Sequence, residues 1–176
     1  MKAQITAMLL WNVSLTIGAE QSWVKRGRIL APGFAGTESS NLLSAPSVVK
    51  LRNGRLRLYF WARHGAGAAS TEKGRALKNH IYAAEADPKD PTEWKLVRPD
   101  PMLSANPTGN INDAGPGFPF VVRRDDAAWL MYYCTWGSWA PKGQISNRTA
   151  LAVSHDEGIT WSVMKEPLLP LGKPGD

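Results

Sequence analysis

Pro46-Ser47-Val48-Val49-Lys50, followed by Asn53-Gly54 and Leu58-Tyr59-Phe60-Trp61, is matched further along by Pro119-Phe120-Val121-Val122-Arg123, Asp125-Asp126 and Met131-Tyr132-Tyr133. Pro46 and Pro119 stand 73 positions apart, as do Tyr59 and Tyr132. Each stretch reads as a β-hairpin. β-Branched and aromatic runs favour strands, and Asn-Gly or Asp-Asp supplies a turn that tolerates positive φ. The second halves repeat too. Ile81-Tyr82-Ala83-Ala84 leads to Asp87, Trp94 and Pro101-Met102-Leu103, while Leu151-Ala152-Val153-Ser154 leads to Asp156, Trp161 and Pro167-Leu168-Leu169. Asp87 and Asp156 are 69 apart, Trp94 and Trp161 67. A third, partial copy runs Trp23-Val24-Lys25-Arg26-Gly27-Arg28-Ile29-Leu30, with Trp23 lying 71 positions before Trp94.

A period of about 70 residues with four short strands per unit is how propeller blades are built. The expected fold is therefore all-β, with about two blades of four antiparallel strands plus a lone d strand. Strands are expected near 46–52, 55–62, 80–86 and 94–98, and again near 119–124, 128–135, 148–154 and 161–165. The lone strand falls at 20–31, the blades at 44–104 and 117–170. A β-sandwich with a fortuitous repeat is the alternative. Each unit buries its apolar side on a neighbour, so two blades leave sheet faces open. Further C-terminal blades are expected in a full-length protein, and the isolated chain should self-associate. A cooperatively melting monomer at high concentration would contradict that expectation.

Composition agrees. The 176 residues carry 20% charged and 43% apolar side chains, with 16 Gly, 13 Pro and 8 Trp against 4 Tyr and 4 Phe. This is a globular composition rich in turn formers. No apolar run approaches the roughly 20 residues that a bilayer-spanning helix needs. One cysteine, Cys134, excludes an internal disulfide framework. The net charge of +6 comes from 21 scattered basic residues. The tightest groups are Lys25-Arg26-Gly27-Arg28 and Arg52 to Arg57, without a groove-reading helix or an RNA-stacking motif, so no nucleic-acid partner is expected. Residues 1–19, with Lys2, an apolar stretch and Gly18-Ala19, have the outline of a signal peptide. That outline implies a secreted or periplasmic protein; a mispredicted start or an ordered first strand are the other readings.

Ser154-His155-Asp156-Glu157-Gly158-Ile159-Thr160-Trp161 matches S-x-D-x-G-x-T-W, the Asp-box of sialidases and other propellers. Its logic is structural. Asp156 accepts backbone N–H groups, Ser154 precedes it, Gly158 permits positive φ, and Trp161 packs between sheets. Asp87 to Trp94 is a degenerate counterpart.

The blade pattern, from Ala45-Pro46-Ser47-Val48-Val49 through Trp94 and from Asn112-Asp113-Ala114-Gly115 through Trp161, resembles the five-bladed propellers of the arabinanase, levansucrase and invertase superfamily. That superfamily includes glycoside hydrolase families 43, 32 and 130. The resemblance covers about residues 20–170. It implies a glycan substrate hydrolysed by paired carboxylates, one protonating the leaving oxygen and one activating water or attacking carbon. Asp113 falls in the Asp-x-Gly segment such propellers carry before the second blade. It is also good Asx-turn chemistry. The family's first-blade acid would stand just before the proline; here that residue is Ala45, and Glu38 is the nearest upstream acid. The family's general acid usually comes from a third blade. The fragment is thus expected to be incomplete for catalysis.

Antiparallel strands put the d–a and b–c connections on one face, and long loops on one face of a rigid scaffold are where function concentrates. Arg63 and His64 there are candidates for binding substrate, and Trp136 and Trp139 for stacking on a sugar ring. No cofactor or metal is expected. Gly65-Ala66-Gly67-Ala68-Ala69 has no Lys-Ser/Thr at phosphate-loop spacing, and the three histidines are too separated for zinc. A glycoside hydrolase-like propeller, a non-catalytic carbohydrate-binding propeller and a sialidase-like protein all remain open at this point.

Overall fold

In the computed structural model the described residues are 25–34, 43–64, 78–105, 111–112, 115–136 and 147–169. They form two four-stranded antiparallel meanders. The first is β1 (Leu43–Lys50), β2 (Leu56–His64), β3 (Lys78–Asp87) and β4 (Asp90–Leu96), in that spatial order. The second is β5 (Gly115–Arg123), β6 (Trp129–Trp136), β7 (Asn147–Ser154) and β8 (Ser162–Val163), again in order. The described residues contain no α-helix. This is the blade architecture that the repeat predicts.

The expected turns close the inner hairpins. Gly54 takes φ 85°, and the Arg55 N–H donates to Asn53 Oδ1 at 3.0 Å. In the second unit the Ala127 and Ala128 N–H groups both donate to Asp125 Oδ1 at 2.8 Å. The strands start earlier than their prolines suggest. Ala45 (φ 50°) and Phe118 (φ 49°) occupy left-handed backbone directly before Pro46 and Pro119. The β1–β2 register slips between Ser44 and Ser47, and the β5–β6 register slips between Gly117 and Phe120. Each slip is a bulge that absorbs the proline's missing N–H, so the ladder resumes beyond it.

Alternation sorts the side chains. Tyr59, Trp61, Ile81 and Ala83 face the second sheet and meet Val121, Trp129, Met131, Tyr133, Ala150 and Ala152 in one core. Leu58, Phe60, Ala62, Tyr82, Ala84, Ala86 and Trp94 make a second cluster on the other face. β2 is therefore apolar at successive positions because both its faces are covered. Ile29, Leu30 and Phe34 lie on that outer cluster. The described part of the segment expected as a lone strand, 25–31, has no strand pairing. Its side chains contribute through packing instead. The forward face of the second sheet is less covered, with Phe120 62% and Val122 36% exposed.

Both units end alike. The Met102 N–H donates to Ile81 O at 2.7 Å, and the Leu168 N–H donates to Thr149 O at 2.8 Å. β8 is shorter than the expected 161–165, because pairing stops at Val163 and the chain then touches β7 only through single bonds from Met164 and Leu168.

Polar contacts lock the sheets together. Ser47 Oγ accepts the Val121 N–H at 2.9 Å. Tyr59 Oη donates to Gly158 O at 3.0 Å, and the Arg57 guanidinium donates to Glu157 O. Arg57 is buried and also grips Glu85 through Nε at 3.0 Å and a second nitrogen at 2.6 Å. Arg52 pairs with Glu157 at 3.1 Å and also reaches Asp126. The basic run Arg52 to Arg57 is thus spent on joining turns and strands.

The Ser154–Trp161 turn holds itself. Ser154 Oγ accepts the Gly158 N–H at 2.8 Å and donates to Asp156 Oδ1 at 2.7 Å. Asp156 also accepts from the Ile159 N–H (3.2 Å), the Thr160 N–H (2.9 Å) and the Thr160 hydroxyl (2.6 Å). Glu157 and Gly158 both take positive φ, 56° and 79°. Trp161 Nε1 donates to Gly158 O at 3.0 Å; in the first blade Trp94 Nε1 donates in the same way to Pro91 O at 2.8 Å. Desolvation pushes the Asp156 carboxyl up, but the bonds from Thr160, Ser154 and Ile159 outweigh it and hold the pKa at about 2, against 3.8 for a free carboxyl. The folded pKa is the lower one, so this turn's contribution is present above pH 3.8 and is lost as pH falls toward about 2. The melting-temperature gap between the parent and Asp156→Asn should be widest above pH 4 and close toward pH 2, followed by circular dichroism across that range.

Candidate functional site

The meander order places the end of β2, the start of β3, the start of β5, the end of β6 and the start of β7 at one end of the two sheets. The hairpin turns at 51–55, 87–90, 124–128 and 155–161 lie at the other. The described hairpin-end carboxylates Asp87, Asp90, Asp125, Asp126 and Asp156 take part in those turns or in ion pairs beside them. That end does structural work.

At the strand-end side, three aromatic rings gather. Phe118 lies 5.5 Å from Trp61 and 5.6 Å from Trp136, centroid to centroid, and Trp61 lies 6.1 Å from Trp136. All three pairs are tilted by 46–50°. Gly117 makes room for them: a Cβ there would sit 2.5 Å from the Trp136 ring. The Arg63 guanidinium stands 5.4 Å from the centre of the Trp61 ring, within cation–π range. Arg63 Nε donates to Oδ1 of Asn79, its cross-strand partner, at 3.1 Å. The Trp61 indole N–H is buried and finds no acceptor among the described residues.

Two contacts fix β5 against this cluster. Gly115, at φ 106°, passes so close to Asn79 that an added Cβ would lie 2.2 Å from its carbonyl oxygen. Asn112 is buried. Its Nδ2 donates to Tyr133 Oη at 3.2 Å, its Oδ1 accepts from the Thr135 hydroxyl at 2.8 Å, and its carbonyl accepts the Gly115 N–H at 3.0 Å. Burial pushes the Tyr133 phenol up to about 12, so it remains protonated at neutral pH.

Of the residues singled out in the sequence, Arg63 and Trp136 come together here, joined through Trp61. Asp113, Glu38 and Trp139 lie outside the described residues, as does the side chain of His64. The Ala45 methyl packs on the inter-sheet core. Sequence reasoning missed Trp61, Phe118, Asn79 and Asn112. Trp61 lies within an apolar strand and reads as core. The available signal for Phe118 was its place before Pro119, matching Ala45 before Pro46. Among the described residues no Asp or Glu bonds to Arg63, Asn79 or Asn112, and no three His, Cys, Asp or Glu side chains come together as metal ligands. A cleft of about 300 Å³ between residues 27–30 and the first sheet is lined mainly by apolar groups, with few polar groups converging on it.

No protein-family model and no curated protein matches the chain. Solved structures do. A glycosyl hydrolase from Bacteroides ovatus superposes with a TM-score of 0.53 at 19% identity, over 70% of this chain and 31% of its own. A putative glycoside hydrolase from Parabacteroides distasonis gives 0.52 at 14%, over 69% and 31%. A structure from work on GH130-family mannoside phosphorylases and on hydrolases targeting β-1,2 mannosidic linkages in Candida mannan gives 0.54 at 16%, over 71% and 32%. The matched chain spans about a third of the length of these structures. The likeness is one of fold: the two four-stranded sheets match part of the fold of these structures.

Removing the Asn112 side chain strips a partner from each of two buried hydroxyls, on Tyr133 and Thr135. Asn112→Ala should lower unfolding free energy by about 1–3 kcal/mol, measured by chemical denaturation.

Proposed function

We propose that the chain is part of a glycan-acting propeller of glycoside hydrolase type, with its substrate at the strand ends that carry Arg63 and Trp136. The observation that carries this reading is the aromatic and cationic cluster, gathered on the end opposite the structural turns of a fold shared with glycoside hydrolases. An aromatic surface with few polar groups suits the C–H face and hydroxyl rim of a sugar. Asp113 is the candidate carboxylate for activating water or attacking carbon. It directly follows Asn112, whose three hydrogen bonds hold the chain at the base of β5. Glu38 is the weaker candidate. The mannoside-directed neighbour makes aryl β-mannosides the first substrates to try.

Ala45 favours a second reading. Where the resemblance calls for an acid before the first-blade proline, a methyl group packs into the core. A carbohydrate-binding propeller without turnover would look like this.

A panel of aryl glycosides offered to the full-length protein separates the two. Hydrolysis that falls by about 10²–10⁴-fold in Asp113→Asn supports the enzyme and its base. Retained saccharide binding without turnover supports the binding protein, and equal rates in the variant remove Asp113 from the mechanism.

A further inference from the structure

Phe118 is held in a conformation that its residue type resists. A bulky side chain at φ 49° is sterically costly, and a following proline disfavours the helical regions further. Glycine or asparagine would carry the same backbone more easily. Ala45 shows that the bulge itself is a property of both inner strands, with φ 50° before its own proline. The side chains then part company. The Ala45 methyl is packed on the core, whereas the Phe118 ring is 48% exposed. Burial in the inter-sheet core therefore does not by itself account for a phenyl group at this position.

The ring is nonetheless firmly backed. Trp61 and Trp136 support it at 5.5 and 5.6 Å, and Trp61 is itself 97% covered. Gly117, beside it, has no Cβ to push Trp136 away. Arg63 reaches the same cluster over Trp61, and its Nε donates to Asn79 Oδ1. The result is a partly exposed apolar face with the Arg63 guanidinium nearby and, among the described residues, no carboxylate bonded to it.

We infer that Phe118 is the stacking platform for a pyranose ring of a neutral glycan. The bulge aims the phenyl group at the sugar's C–H face, and strained backbone persists where function uses it. This deepens the glycan-acting reading above and rests on it. It adds a binding residue that takes no part in bond cleavage.

The test titrates β-mannobiose, cellobiose and xylobiose into the full-length protein by calorimetry, alongside Phe118→Gly and Phe118→Tyr, with melting curves for each. At least one disaccharide should bind the parent, with affinity about tenfold or more weaker in Phe118→Gly and near parental in Phe118→Tyr. Phe118→Gly should melt within about 4 °C of the parent, since it loses ring contacts but relieves the left-handed strain. Unchanged affinity in Phe118→Gly would overturn the platform while leaving the glycan-acting reading intact. A melting temperature lower by more than about 10 °C would assign the ring to the fold instead. Absence of binding by the parent would overturn both readings.

Discussion

The seating of Tyr59 against Gly158 governs how the two sheets meet. Tyr59 stands in the middle of β2, and its hydroxyl donates to the Gly158 carbonyl at 3.0 Å. Burial pushes that phenol up to about 12, so the donor is retained at neutral pH. The Trp161 ring stands edge-on to it at 5.8 Å. A Cβ on Gly158 would come 2.0 Å from the Tyr59 oxygen, so only glycine lets the turn approach this closely. At the opposite end Gly115 and Asn79 make an equally close backbone contact, and the Ser47–Val121 bond lies between the two inner strands. These contacts set the position of the second sheet on the first. The cluster of Trp61, Phe118 and Trp136 exists only because that position brings β2, β5 and β6 together.

The two ends of the molecule use polar groups differently. At the hairpin end, carboxylates fold back on the N–H groups of their own turns or pair with nearby arginines, and Arg52, Arg55 and Arg57 answer Asp126, Glu157 and Glu85. Such groups are consumed by structure. At the strand end the aromatic surface is partly exposed, and among the described residues Arg63 bonds to Asn79 and to no carboxylate. The ligand site proposed above lies at this strand end for that reason.

Much of this was legible in the chain. The near-constant spacing of prolines, tyrosines and tryptophans marks two units of four strands, because each landmark has a local job. The proline sits at a bulge, the apolar runs fill sheet faces, and the tryptophan indole caps a carbonyl three residues earlier in both units. The turn at Ser154–Trp161 was readable for the same reason, except for the positive φ at Glu157, a residue that also meets Arg57 and Arg52 from the first sheet and its turn. Arg63 and Trp136 were legible as candidates because they end strands at long connections. Trp61 and Phe118 were not, since an aromatic residue in an apolar strand looks the same whether it is core or site.

The sequence by itself determined the strands, the turns and their order, since periodicity, turn chemistry and proline placement act over a few residues. Which face of each strand is doubly covered, why Gly115, Gly117 and Gly158 must be glycine, and which side chains converge at the strand ends were decided only by the tertiary structure. Those properties depend on distances between residues up to 100 positions apart, such as Arg57 and Glu157, and no local pattern encodes them.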